Sequence, residues 1–249
     1  MTIVLLTAVG VGAATVLGAL FGFVFKNLSH KFSDIILSFA AGVMLCAAVL
    51  GLVVPSLEHG NSVIVTVIGI FCGAFVLHVL DKLTPHLHRM AGEDIEGHPD
   101  KHEKLNKVLL FVMAIALHNL PEGIAAGVGF GTGNTAEALT IAGGIALQNI
   151  PEGMVIIAPM LAAGMSKKRT FAIASVTGII EVVGTFIGYF AVSVSNTVLP
   201  FALALAGGTM LYVISDEMIP ETHHDGNSSS TYALLAGFAL MLFMDFYLG

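Results

Sequence analysis

Charge is scarce in this chain. Of its 249 residues only 11 % are Asp, Glu, Lys or Arg, 56 % are hydrophobic, and the mean hydropathy is +0.90. A soluble domain carries roughly 25 % charged residues, so this sequence cannot cover a water-facing surface. Lys and Arg total ten and form no basic patch interleaved with aromatics, which argues against a nucleic-acid partner. Cysteine is nearly missing. Cys46 and Cys72 both fall in apolar runs, so no disulfide framework is implied and both read as thiols within helix packing. No His-Glu-x-x-His motif occurs, so the ligand pair and general base of a zinc protease are lacking. The chain is not expected to be an enzyme and implies no organic cofactor. The N-terminus has no charged segment before its first apolar run, which at about 23 residues exceeds a signal-peptide core and is read as a retained span. Neither end carries a lipidation motif.

What is present is a series of long apolar runs. Eight can be marked, approximately 3–25, 34–57, 62–80, 108–130, 137–163, 170–194, 199–218 and 232–248. Each is near the ~20 residues needed to cross a bilayer as a helix. Lipid cannot satisfy free backbone groups, so the runs must be helices or a closed barrel. Continuous apolarity without alternation selects helices. The expectation is an all-α integral membrane protein of eight transmembrane helices, forming a single transmembrane domain over 1–249.

The ten basic residues all lie in alternate loops. Lys26 and Lys31 separate spans one and two; Lys82, Arg89, Lys101, Lys104 and Lys107 separate three and four; Lys167, Lys168 and Arg169 separate five and six. The positive-inside rule makes these loops cytoplasmic and both termini external. The longest loop, about 81–107, also carries His86, His88, His98 and His102, and the loop after span seven carries Glu221, His223, His224 and Asp225. Such tracts are solvated linkers that can also capture borderline metals weakly. Glycines four apart, at Gly18 and Gly22, Gly123 and Gly127, and Gly184 and Gly188, let helix backbones approach in lipid.

The strongest signal is a repeated motif. Span four contains His118-Asn119-Leu120-Pro121-Glu122-Gly123, and span five contains Gln148-Asn149-Ile150-Pro151-Glu152-Gly153, thirty residues later. Both begin about ten residues into their spans, near the bilayer midplane. Consecutive spans run in opposite directions, so the copies are candidates for an inverted pair about an axis in the membrane plane, where transporters commonly place their site. His118 and Glu122 are four apart on one helical face, as are Gln148 and Glu152, with Cβ atoms roughly 5–6 Å apart. Asn119 and Asn149 lie on the adjoining flank. Imidazole, carboxylate and amide oxygen suit Zn²⁺, Fe²⁺, Mn²⁺ or Cd²⁺. Pro121 and Pro151 cannot donate a helical hydrogen bond, which makes the carbonyls of Leu117 and Leu147 candidates for release.

A carboxylate at the centre of a spanning helix costs roughly 2.5–3.5 kcal/mol on insertion scales. Glu122, Glu152 and Glu181 of span six all lie well inside, with no Lys or Arg in those spans to pair with them. Protonation, water or a bound cation must compensate. Two facing glutamates could bridge two ions about 3.5–4 Å apart, with Glu181 the extra carboxylate for the second. Midplane glutamates also serve as proton relays, so a proton or other cation pathway through the same carboxylates is the alternative reading.

These motifs resemble those of the ZIP (Zrt-, Irt-like protein) metal transporters, in particular their bacterial GufA-like branch, and the resemblance covers nearly the whole chain. It implies a 3+2+3 arrangement with inverted outer repeats, and transport of divalent transition-metal ions, zinc first and also cadmium, iron or manganese, toward the cytoplasm. The ion is the transported substrate. One site would use His118, Glu122, Gln148 and Glu152, joined by Met44 of span two. An adjoining site would use Asn119, Asn149, Glu181 and the shared glutamates. His78, Asp81, Asp216, Glu217 and Glu221 resemble an exit path to the cytoplasm. The resemblance also implies a plasma membrane location, the bacterial inner membrane in particular, and a homodimer. Gln148 stands where many members carry His, and Asn149 where some carry Asp, so this centre has less charge.

Overall fold

A computed structural model describes residues 1–25, 30–60, 62–83, 116, 118–194, 197–222 and 228–248, with the side chains of His30, Asp81, Leu83 and Val194 excepted. The first part of span four, nearly all of the His-bearing 81–107 loop, and His223, His224 and Asp225 lie outside the described residues.

Eight helices follow one another along the described chain. They are α1 (Thr2–Val24), α2 (Lys31–Gly60), α3 (Val63–Leu83), α4 (118–129), α5 (Thr135–Ala162), α6 (Lys167–Val194), α7 (Leu199–Thr222) and α8 (Ser228–Leu248). Every one of them except α4 has, within the described residues, a stretch long and apolar enough to cross a membrane. Two helices are not α-helical throughout. α2 widens into π-helix over Ala47–Val53, and α7 does so over Ile214–Met218. The α4–α5 connection is a 3-10 turn, Phe130–Thr132, closed by Gly133 at φ 80°. Asn134 then caps α5, its Oδ1 accepting from the Ala136 and Glu137 amides at 3.1 and 3.3 Å.

Residue size, rather than polarity alone, sorts inside from outside. On α1 the buried stripe is Thr7, Ala8, Val11, Gly12, Thr15, Gly18, Ala19 and Gly22, while Leu6, Val9, Leu17 and Leu20 face outward. In lipid an outward leucine costs nothing, so close packing between backbones drives association and small residues take the contact face. α3 and α8 follow the same rule, with Phe71, Phe75, Phe243 and Phe246 outside and Gly69, Gly73 and Gly237 against neighbours.

The glycine contacts reveal the internal repeat. A Cβ on Gly18 of α1 would overlap the Ile150 carbonyl of α5; one on Gly184 of α6 would meet the Leu120 carbonyl of α4. Gly153 faces Thr15 and Gly123 faces Glu181 in the same way. α1 and α6 thus correspond at an offset of 166 (184 − 18), and α4 and α5 at 30 (153 − 123). The other helices obey it too. Gly42 of α2 meets Leu234 of α8, and Gly208 of α7 meets Ile70 of α3, again 166 apart (208 − 42). Gly237 meets Phe39, and Gly73 meets Leu205, an offset of 164 (237 − 73) for α3 and α8. The three N-terminal helices therefore repeat in the three C-terminal ones, with α4 and α5 as the central pair. Both π-helical segments fall at equivalent places. At the pseudo-two-fold axis equivalent residues touch one another: Gly12 and Gly178 each face the other's carbonyl, and Thr15 hydrogen-bonds Glu181, its own counterpart 166 residues on.

Candidate metal centre

The two motifs meet where α4 and α5 are clamped by α1 and α6. Gly123 and Gly153 sit on the α6 and α1 backbones respectively, which leaves the polar face of each motif turned to the interior. Glu122, Gln148, Asn149 and Glu181 are fully buried and Asn119 nearly so. His118 is buried at its margin, and Glu152 is half-buried. Pro151 lies within continuous α-helix; the interruption of α5 comes later, at Ile156, before helix resumes over Ile157–Ala162.

The hydrogen bonds converge on Glu181. Its Oε1 accepts from Thr15 Oγ1 of α1 at 2.5 Å and from Asn119 Nδ2 of α4 at 2.5 Å, and its Oε2 accepts from Asn149 Nδ2 of α5 at 2.6 Å. Asn149 Nδ2 also lies 3.4 Å from the Val11 carbonyl, and Asn149 Oδ1 accepts from Gln148 Nε2 at 2.8 Å. Five buried acceptors in this region, by contrast, have no hydrogen-bond partner among the described residues: Glu122 Oε1 and Oε2, Gln148 Oε1, Asn119 Oδ1 and, on α7, Glu217 Oε1. Buried polar atoms are ordinarily satisfied, and each exception calls for a reason. Here all the exceptions are electron-pair donors, the complement of a cation.

Of the residues singled out in the sequence, His118, Asn119, Glu122, Gln148, Asn149 and Glu152 come from the two motifs, and Glu181 joins them through the amides. Met44 of α2 is buried in the core cluster that also holds Ile141 and Ile145 of α5, one turn before Gln148. The acids and histidine grouped as an exit path separate. Glu217, on the π-helical turn of α7, belongs with the centre: its Oε1 lies 2.8 Å from His118 Nε2, at ion-pair distance though without hydrogen-bond alignment. π-helical turns recur at functional positions. His78 instead pairs with α7 through Tyr212, Nδ1 to Oη at 2.9 Å, with the rings edge to face at 5.9 Å. Asp216 is half-buried on the same π turn and Glu221 is exposed, while the Asp81 side chain lies outside the described residues. Among the described residues, no three His, Cys, Asp or Glu side chains form a metal-holding group by themselves. The polar side chains gathered here are carboxylates, one imidazole and three amides.

One participant, Thr15, carries no signal in the sequence, and a second, Glu217, reads there as part of an exit path and not of the centre. Thr15 is one threonine among the small residues of α1, and nothing in its neighbours marks it. Glu217 carried a signal, an acid at the end of an apolar run, but not the direction of its side chain. Cys46 is buried and Cys72 partly so, both as free thiols within helices.

Residues 84–245 match a family model described as ZIP zinc transporter. The chain is 41 % identical over 247 residues to the zinc transporter GufA of Myxococcus xanthus, covering 96 % of each chain. It is 37 % identical to the zinc transporter ZIPB of Bordetella bronchiseptica, over 95 % of this chain and 78 % of the relative. To the zinc transporter ZupT of Chlorobaculum parvum it is 34 % identical, over 93 % and 91 %.

Proposed function

The chain belongs to the ZIP zinc transporter family, and from that membership we propose that it carries Zn²⁺ across a membrane toward the cytoplasm, through a midplane centre built on His118, Glu122, Gln148 and Glu152. The observation that carries this reading is Glu122, fully buried with both carboxylate oxygens unpartnered among the described residues. A charge in that position is costly unless a counter-charge arrives. A divalent cation supplies it, with His118 and the Gln148 amide oxygen as neutral donors.

Mixed nitrogen and oxygen donors without thiolate accept Zn²⁺, Cd²⁺, Fe²⁺ and Mn²⁺, so these ions compete for one pathway. Glu152 is half-buried, and Glu217 beside His118 is the next acid toward the inner end of α7. The basic loops support cytoplasmic connections after α1, α3 and α5 and both termini outside, and the likeness to bacterial transporters supports a plasma membrane of bacterial inner-membrane type. The homodimer implied by the resemblance is tested by the mass of the particle in detergent.

The deciding experiment is flux. Purified protein in liposomes containing a zinc-sensitive dye is compared with Glu122→Ala. Zinc-dependent signal that the substitution abolishes supports the reading, and competition by Cd²⁺, Fe²⁺ and Mn²⁺ ranks the ions. A folded, inserted wild type that moves protons but no transition metal would refute it.

A further inference from the structure

Resting on the metal-transport reading above, we propose that Glu181 and Thr15 are positioning residues, which orient the amides around the centre instead of binding a second ion, so that the centre holds one cation. A carboxylate only accepts, whereas an Asn or Gln side chain donates from one branch and accepts on the other. Because Glu181 receives Asn119 Nδ2 and Asn149 Nδ2, both amides must turn their NH₂ branches to it. The consequence propagates. Asn119 Oδ1 is forced away from Glu181 and is left unpartnered. Asn149 Oδ1 is likewise turned away and takes the Gln148 NH₂, which fixes the third amide. Gln148 Oε1 is then unpartnered in its turn.

Glu181 therefore sets the sense of three amides on two other helices. Thr15 supplies a donor from a fourth helix. Of roughly four lone-pair positions on the carboxylate, three are occupied by donors from α1, α4 and α5. An ion ligated by Glu181 would have to displace these donors from a fully buried group. An ion ligated by Glu122 and Gln148 Oε1 displaces no donor from these atoms, since they have no hydrogen-bond partner among the described residues. Thr15 and Glu181 are also equivalent residues of the two repeats, so the device sits on the pseudo-two-fold axis and reaches both motifs at once.

The test separates ligand from positioner by stoichiometry and by rescue. Full-length protein in nanodiscs is titrated with Zn²⁺ alone, and the saturated sample is measured by zinc X-ray absorption. The wild type binds one ion per chain and shows no zinc–zinc scattering near the ~3.5–4 Å of a two-metal site. Glu181→Gln and Thr15→Val each retain one ion but bind it about 10- to 100-fold more weakly, the usual effect of losing an outer-shell partner, and Thr15→Ser restores the wild-type affinity. Thermal unfolding of each variant confirms that it is folded. Two ions in the wild type falling to one in Glu181→Gln would overturn the proposal while leaving the transport reading intact. Unchanged affinity in both variants would overturn it as well. No saturable zinc in a folded wild type would overturn both, and the liposome flux of Glu122→Ala against wild type reports on the transport reading independently.

Discussion

Gly123→Ala and Gly10→Ala make the same chemical change, and the structure predicts opposite outcomes. Both glycines are helical. In an exposed helix interior Ala is favoured over Gly by about 0.5–1 kcal/mol. A Cβ on Gly10 meets nothing within 4 Å, so Gly10→Ala should keep that gain. A Cβ on Gly123 would overlap the Glu181 carbonyl oxygen, with the Glu181 Cα and carbonyl carbon each at 2.9 Å. These are backbone atoms and cannot swing aside, so α4 and α6 must part. Overpacking of this kind costs about 1–3 kcal/mol, which exceeds the helix-propensity gain. The separation also pulls Asn119 off Glu181, a 2.5 Å hydrogen bond to a carboxylate, adding a loss of about 1.5–3 kcal/mol if it breaks. With that bond lost, Gly123→Ala should be destabilised by about 1.5–5.5 kcal/mol net, and should bind zinc more weakly, while Gly10→Ala matches or exceeds the wild type. Thermal unfolding in one detergent, followed by circular dichroism and by dye reaction with the buried Cys46 as unfolding exposes it, measures the first; zinc titration measures the second. Equal midpoints for the two variants would refute the contact geometry. A stable Gly123→Ala with unaltered zinc affinity would refute the link between the α4–α6 contact and the centre.

Zinc at 100 times its Kd should raise the unfolding free energy by about 2.7 kcal/mol; Glu122→Gln should abolish that shift, and chelator should reverse it in the wild type, both read as midpoint changes on the same instrument. Asn134→Ala removes the cap at the start of α5, where one side-chain oxygen serves two amides, and should cost about 0.5–2 kcal/mol without altering zinc affinity. Tyr212→Phe removes the His78 partner at 2.9 Å and should cost about 0.5–1.5 kcal/mol; an unchanged midpoint would show that the α3–α7 contact rests on the glycine packing alone.

Much of this molecule is visible in the sequence because lipid imposes simple rules. Apolar runs of spanning length mark the helices, and the ends of α5, Thr135 and Ala162, fall within two residues of the expected 137–163. The midplane motifs stand out because polar residues there are costly. The repeat of α4 and α5 is legible since both copies keep the same chemistry. The repeat of α1 in α6 is not, because Thr15 and Glu181 share no side-chain type and only the matching glycine contacts betray it. The amide directions are equally hidden. Asn119 and Asn149 read alike in the sequence as oxygen donors, yet one carbonyl is left open and the other is taken by Gln148. The π-helical turns depend on packing against other helices, and with the turn of α7 goes the approach of Glu217 to His118.

The meeting of Thr15 with Glu181 bears on how such a chain could arise from two equal halves. A residue on a two-fold axis confronts its own copy. With glutamate in both halves, two buried anions would stand in contact; with threonine in both, no anion would be there to turn the amides. Duplication and fusion remove the requirement that the two positions agree, and the axis is where disagreement between the halves is most useful. The asymmetry of the centre, His118 against Gln148 on either side of one Glu–Thr pair, is available to a fused chain and closed to a symmetric pair of identical ones.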